Sequence, residues 1–236
     1  VVNTPASSSN QLVLEFAAAK HQRKQMQTIV PGVHTFAGLL LGRAYAIEDA
    51  DGLTLIDTGL GLAATKVLQQ LQASGRSASE VKRILITHAH PDHIGGLAKL
   101  QAATGAQVVA HALEWPIMAS KVSETPRSTS PVRREVQGGE RLAEVLGGLR
   151  VIFTPGHTRG HVCFWQPDRR LLFCGDVVLR LPKLCLPFAP FTVDMDEDKR
   201  SIKKIAELNA EVVFFGHGQP LTHDAAAQLR DFAAKF

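Results

Sequence analysis

Four residues that can hold a metal ion or carry a proton fall within six positions of this chain: His88, His90, Asp92 and His93, in THAHPDHIGG. They follow the apolar run VKRILIT, which reads as a strand. A loop beyond a strand end can aim several side chains at one point. Residues two apart in extended backbone face the same way, so His88 and His90 can share one cation. Pro91 then bends the chain, and Asp92 and His93 can face a second cation nearby. The same pattern recurs three times: His157 follows LRVIFTPG, Asp176 follows RRLLFCG and His217 follows EVVFFG. Each is a short apolar run, then Gly, then a residue of the metal-binding type. Four strand ends converging on one chemistry is not how satisfied core histidines are distributed.

Five imidazoles and two carboxylates suit zinc, iron or manganese rather than a metal that seeks thiolates. Seven donors are too many for one ion. Two divalent ions sharing Asp176 would use all seven and leave room for a bridging water or hydroxide. Set against Asp92, Asp176 and one hydroxide, two such ions leave the site net positive, which stabilises an oxyanion as it forms. Asp92 and Asp176 are the carboxylates expected to take part in catalysis, Asp92 also as a proton relay.

The elements that must position these residues can be read from periodicity. Strands are expected over residues 28–36, 44–47, 53–56, 81–87, 107–110, 149–153, 161–165, 171–174 and 211–215. Helices are expected over 60–73, 94–103, 198–208 and 223–234. Residues 1–27 read as an N-terminal arm, with a short helix over 11–28, and residues 28–236 as one domain. The stretch 119–140, rich in Ser, Thr, Pro and charge, reads as a surface loop or lid in which Arg127, Arg133 or Arg134 offers charge. The apolar, proline-rich run LRLPKLCLPFAPF, residues 179–191, is either a wall for the substrate or core packing. Trp115 and Trp165 are expected in the core.

A chain of 236 residues can bury a sizeable core. The net charge of +4 is scattered, and its densest cluster, Lys20, Arg23 and Lys24, fits a solvated helix face rather than a nucleic-acid site. Three cysteines without a CxxC pair make no disulfide framework and fit a reducing, cytoplasmic setting. The longest uncharged stretch contains Pro31 and His34 and is a poor membrane span. The expected partner is a small-molecule substrate, with neither nucleic acid nor membrane; the oligomeric state is left open.

These motifs, in this order, resemble the metallo-β-lactamase fold superfamily. Its HxHxDH motif matches THAHPDHIGG, and its third histidine matches TPGHT at 154–158. Its bridging aspartate matches CGD at 174–176, its last histidine FGHG at 215–218, and its first motif DTG at 57–59. The resemblance implies an α+β chain folded as a four-layer αββα sandwich with metals at one edge between the sheets. It assigns His88, His90 and His157 to a first ion and Asp92, His93 and His217 to a second, with Asp176 bridging and Asp57 orienting its neighbours. The implied cofactor is a pair of divalent ions, zinc first, with iron or manganese accepted by the same donors.

Class B β-lactamases often use a cysteine as a second-site ligand; here the matching residue is Asp176, and Cys174 is expected to pack. The donor set resembles the glyoxalase II, lactonase and RNase Z branches. Glyoxalase II usually carries a C-terminal helical domain that grips glutathione, and this chain has 19 residues after His217. Tyr45, the only tyrosine, is early for the tyrosine that lactonases use. No long RNase Z arm is visible. The implied reaction is cleavage of an ester-like bond, thioester or lactone, by a metal-bound hydroxide. Two alternatives share the fold: a mononuclear iron persulfide dioxygenase, which uses only part of the donor set, and a phosphodiesterase or nuclease, which no basic cluster supports.

Overall fold

The computed structural model describes residues 25–119 and 133–236. Residues 11–24 of the expected N-terminal helix, and Arg127, lie outside the described residues; the end of that expected helix, Gln27 and Thr28, is instead the start of a strand.

Alternation along the strands sorts the apolar side chains into three layers, and the three layers define the architecture. The first sheet runs β1 (Gln27–Val30), β2 (Val33–Thr35), β3 (Tyr45–Asp49), β4 (Gly52–Ile56), β5 (Val81–Leu85), β6 (Gln107–His111) and β7 (Arg133–Val136) in spatial as in chain order. It is antiparallel as far as β4 and parallel from β4 to β7. Parallel neighbours need a crossover. Helix α1 (Ala63–Ala73) supplies it between β4 and β5. Helices α2 (Pro91–Ile94) and α3 (Leu97–Thr104) supply it between β5 and β6.

The second sheet has the order β14 (Val212–Phe215), β11 (Leu171–Gly175), β10 (Val162–Gln166), β9 (Leu149–Phe153), β8 (Arg141–Leu142). A small hairpin, β12 (Leu179–Arg180) with β13 (Leu184–Cys185), follows β11. Helix α4 (Trp115–Met118) follows β6. Helix α5 (Met195–Ala206) precedes β14, and α6 (Ala225–Ala233) closes the chain.

Ala44, Ala46, Leu55, Ile84 and Val108 face outward from the first sheet and pack on Val67 and Leu71 of α1 and Leu97 and Leu100 of α3. The alternate residues Tyr45, Ile47, Ile56, Leu85 and Val109 face the second sheet and meet Val151, Phe164, Phe173 and Phe214. The other face of the second sheet, with Trp165, Leu172, Val213 and Phe215, is covered by Ile202 and Ile205 of α5 and Leu229 and Phe232 of α6. This is the expected αββα sandwich: a period of two in each strand buries both faces of both sheets. Trp115 and Trp165 are buried, as expected.

Three expectations need correction. The single strand over 28–36 is a hairpin of β1 and β2, broken at Pro31–Gly32, where Pro lacks a ladder donor and Gly32 takes a φ of +73°. The helix over 94–103 is two helices, divided at Gly95–Gly96. The stretch 119–140 is not all loop: Arg133–Val136 is the edge strand β7, parallel to β6. An edge strand buries little, and only Val136 of its four residues is buried, so its composition reads as loop. Arg133 and Arg134 are used locally, pairing with Glu135 and Glu144.

Candidate metal centre

The chemistry-bearing residues sit just past the C-terminal ends of their strands. Asp57 follows β4, the segment Thr87–His93 follows β5, Glu114 follows β6, His157 follows β9, Asp176 follows β11 and His217 follows β14. Adjacent strands in each sheet, and the facing of the two sheets, bring these ends to one rim. Close approach there needs small residues. A Cβ on Gly216 would lie 1.9 Å from Asp176 Oδ1 and 2.7 Å from His93 Cε1. On Gly156 it would lie 2.3 Å from the Asp198 backbone nitrogen, where α5 begins against the His157 loop.

All seven expected residues are gathered. Their donor atoms form three overlapping groups, each within 4.8 Å: His88, His90 and His157; His88, His93 and Asp176; Asp92, His93 and His217. His90 Nδ1 lies 3.0 Å from His157 Nε2. His217 Nε2 lies 3.0 Å from Asp92 Oδ2 and 3.1 Å from Asp176 Oδ2. Asp176 Oδ2 also lies 3.6 Å from His157 Nε2, so this carboxylate stands between the two histidine groups.

Hydrogen bonds fix which ring nitrogen each histidine turns inward. His93 Nδ1 lies 2.8 Å from Asp57 Oδ2, and a carboxylate only accepts, so Nδ1 keeps its proton and Nε2 is the nitrogen that offers a lone pair once a cation displaces the proton there. Thr87 donates its hydroxyl to the same oxygen at 2.8 Å, and its own oxygen then accepts from His88 Nδ1 at 3.1 Å. His88 Nε2 is thereby left as a lone-pair donor too. Asp57, at a φ of +56° and buried, orients both histidines, as expected of it.

A metal ion fits these residues. The buried atoms His88 Nε2, His93 Nε2 and Asp176 Oδ1 have no hydrogen-bond partner, though each points among the others. Buried polar atoms are normally satisfied, and three orphaned polar atoms around one point are what a cation would satisfy.

Charge divides the site. Burial, reinforced by the charge of His93, holds His88 and His90 below the ordinary histidine value, and burial brings His157 down to about 4. Burial also opposes the charged form of His93, but Asp176 and Asp57 outweigh it and hold His93 well above the ordinary value. Asp176 and Asp92 likewise overcome burial at His217 and raise it to about 9. The first trio is thus neutral with lone pairs available, while His93 and His217 carry protons that a cation would displace.

Two participants escaped the sequence reading. Glu114 is buried and accepts from Ala89 N–H, Thr158 Oγ1–H and Gly160 N–H, all at 2.8 Å, tying the His88–His90 loop to the His157 loop. His161 accepts from the Asp176 backbone N–H at 3.1 Å through Nε2, and its Nδ1 faces Thr154 Oγ1 at 2.9 Å. The signals were present: Glu114 follows a strand end, and His161 lies within TPGHTRGH. Other residues stay out. Tyr45 is buried between Phe173 and Phe214 and donates to the Phe215 carbonyl at 2.7 Å. Burial raises Cys163 to about 12 and Cys174 well above the usual thiol value, which keeps both as neutral packing groups.

Residues 37–217 match the model of the metallo-beta-lactamase superfamily. The chain belongs to this superfamily. Within it, the chain is 27% identical over 226 residues to the probable metallo-hydrolase YflN of Bacillus subtilis (strain 168), covering 81% of this chain and 85% of that protein. It is 38% identical over 116 residues to a hydroxyacylglutathione hydrolase of Ectopseudomonas mendocina (strain ymp), covering 49% of this chain and 39% of the relative. The chain spans about half or less of the hydroxyacylglutathione hydrolases it matches. Among solved structures, a metallo-beta-lactamase family protein from Thermus thermophilus superposes with a TM-score of 0.67 at 25% identity, over 88% of this chain and 80% of that one. The chain is thus a member of the metallo-hydrolase superfamily with a metallo-beta-lactamase fold, and its relatives include a probable metallo-hydrolase. Among the described residues no helix is long and apolar enough to cross a membrane.

Proposed function

We propose that the protein hydrolyses an ester-like bond of a small molecule, thioester or lactone first, at a binuclear site. The observation that carries this reading is the presence of two complete histidine groups on either side of Asp176, both with donor atoms unsatisfied. His88, His90 and His157 would hold one divalent ion, and Asp92, His93 and His217 a second, with Asp176 between them. Zinc fits these donors first; iron and manganese fit them as well. Bound ions supply Lewis acidity and a water acidified enough to attack near neutral pH.

The chain's own residues do the rest. Asp57 holds His88, through Thr87, and His93 with Nε2 inward, so the donors need no reorganisation. Asp92 is the more exposed of the two site carboxylates, 23% against 7% for Asp176. Its Oδ2 is therefore suited to hold the proton lost during attack and pass it to the leaving group. Hydroxyacylglutathione hydrolases among the relatives support thioester cleavage as the first assay. The free cysteines support a reducing, cytoplasmic setting.

Elemental analysis of purified protein together with a panel of thioesters and lactones tests this. About two zinc ions per chain and turnover of one ester class is the expected result. One iron per chain with oxygen consumption would replace hydrolysis by persulfide oxidation, for which only part of the donor set is needed.

A further inference from the structure

The run after Asp176 is the part of the chain that the metal chemistry leaves unexplained. It is anchored to both halves of the site. Arg180 N–H donates to the His217 carbonyl at 3.1 Å, and its guanidinium donates to the Gln219 and Pro220 carbonyls at 3.2 and 2.9 Å. At the other end Val193 N–H donates to the His157 carbonyl at 3.2 Å, and Thr192 Oγ1 lies 3.2 Å from His157 Nδ1. Between these anchors Phe191 N–H and Thr192 Oγ1–H both return to the Phe188 carbonyl at 3.0 Å, closing a tight turn.

The anchored run packs into the core only in part: Leu184 and Leu186 lean on it, and the aromatic end does not. Phe188 is 59% exposed and Phe191 67%, and across the rim Leu41 is 68% exposed. With Leu60, Leu179 and Pro187 they wall a cleft of about 340 Å³ whose floor is His90, Asp92, His157, Asp176 and His217. Scattered exposed apolar residues are ordinary, but a contiguous apolar wall over convergent polar groups is the anatomy of a ligand site. Among the described residues no Lys or Arg lines this cleft. Arg43 lines a neighbouring cleft that shares only Leu41 and His217 with it.

We propose that this cleft selects substrates by an uncharged, apolar acyl chain, laid against Phe188, Phe191 and Leu41 with its carbonyl over the site floor. The proposal rests on the hydrolytic reading above and adds the substrate class. A carboxylate-bearing group such as a glutathionyl moiety finds no cation among the described residues of the wall, whereas each methylene of an alkyl chain leaves water for apolar surface. The volume lies at the small end of ligand sites, so a chain of limited length fills it.

Two measurements on the zinc-loaded full chain test this. The first is kcat/KM along a series of neutral thioesters of one leaving group, acetyl to octanoyl, with a glutathione thioester for comparison. Specificity should rise about fourfold per methylene until the wall is filled. Phe188→Ser combined with Phe191→Ser should cut the octanoyl-to-acetyl ratio at least tenfold, and Ile117→Ser, an exposed residue of α4, should leave the ratio unchanged. The second is calorimetric binding of methyl alkyl ketones, which cannot be hydrolysed, with the same slope and a negative heat-capacity change. Turnover that is flat along the series, or that favours the glutathione thioester, overturns the acyl preference and leaves hydrolysis standing. Ketone binding that strengthens with chain length, without turnover of any ester, overturns hydrolysis and leaves the apolar preference standing. Ketone affinity independent of chain length overturns the preference whatever the turnover.

Discussion

Replacing Glu114 should loosen the first donor trio before anything else in the site. Its carboxylate is 1% exposed and accepts three hydrogen bonds at 2.8 Å. One comes from Ala89, between His88 and His90; the others come from Thr158 and Gly160, on the loop of His157. Hydrogen bonds to a charged group contribute roughly 1.5–3 kcal/mol each, and a buried donor left without a partner costs about 1–3 kcal/mol. Glu114→Ala removes both acceptor oxygens, and with them all three hydrogen bonds, and leaves a void, a loss of about 5 kcal/mol, comparable to the whole stability of a marginal domain. Glu114→Gln is the more informative change. It keeps the volume, but its single acceptor oxygen can serve either Ala89 or the Thr158–Gly160 pair, never both. Turned toward the pair, it orphans one donor, at about 2 kcal/mol. Denaturant unfolding of metal-free protein, with an unchanged m-value, should show this loss. Chelator competition should show the first ion held about 10- to 100-fold more weakly and the second little changed. Unfolding within about 0.5 kcal/mol of the unsubstituted protein, with both ions held as before, would refute the clamp.

Four further outcomes are expected. Asp57→Asn tolerates the left-handed backbone at φ +56° but offers one acceptor oxygen where the carboxylate uses two, Oδ1 for Thr87 N–H and Oδ2 for the Thr87 hydroxyl and His93, so the second ion should bind about 10- to 100-fold more weakly by the same competition. His217, raised to about 9 against an ordinary 6.5, stabilises the metal-free fold fully below pH 6.5; that contribution is lost as pH rises through 9, so the metal-free Tm should fall across this window and proton release should accompany metal binding in calorimetry. Asp198 has both carboxylate oxygens buried without partners, and burial raises it to about 8; its protonated form favours folding, so stability should decline between about pH 4 and 8, and Asp198→Asn should flatten that decline in pH-dependent unfolding. Gly216→Ala puts a Cβ 1.9 Å from Asp176 Oδ1, so bound metal measured by elemental analysis should fall while circular dichroism stays native.

The sequence alone carried the chemistry because its donors are local to strand ends. Apolar runs ending in Gly and then His or Asp announce where the chain stops being a ladder and starts being a site. A spacing of two along extended backbone places His88 and His90 together without any knowledge of the fold. The strand and helix order was legible for the same reason, since periodicity is a short-range property. What joins elements across the chain was not. Glu114 meets Ala89 and Gly160 across 25 and 46 positions. The lone pairs of His88 and His93 are aimed by an aspartate about 30 positions away. The edge strand β7 buries too little to announce itself, and Pro31–Gly32 breaks what reads as one strand into two.

The run over residues 179–191 shows the boundary most clearly. Its composition is equally that of a core segment and of a pocket wall, because hydrophobicity records how much a side chain favours leaving water and not which surface it leaves water for. Only the tertiary structure divides it: Leu184 and Leu186 lean on the core, while Arg180 on the His217 carbonyl and Thr192 on His157 hold the rest over the rim. Residue type and spacing thus determined which atoms can bind metal. The packing of the two sheets decided which ring nitrogens face inward, which carboxylate clamps the loops, and that Phe188 and Phe191 stand exposed above the site among the described residues.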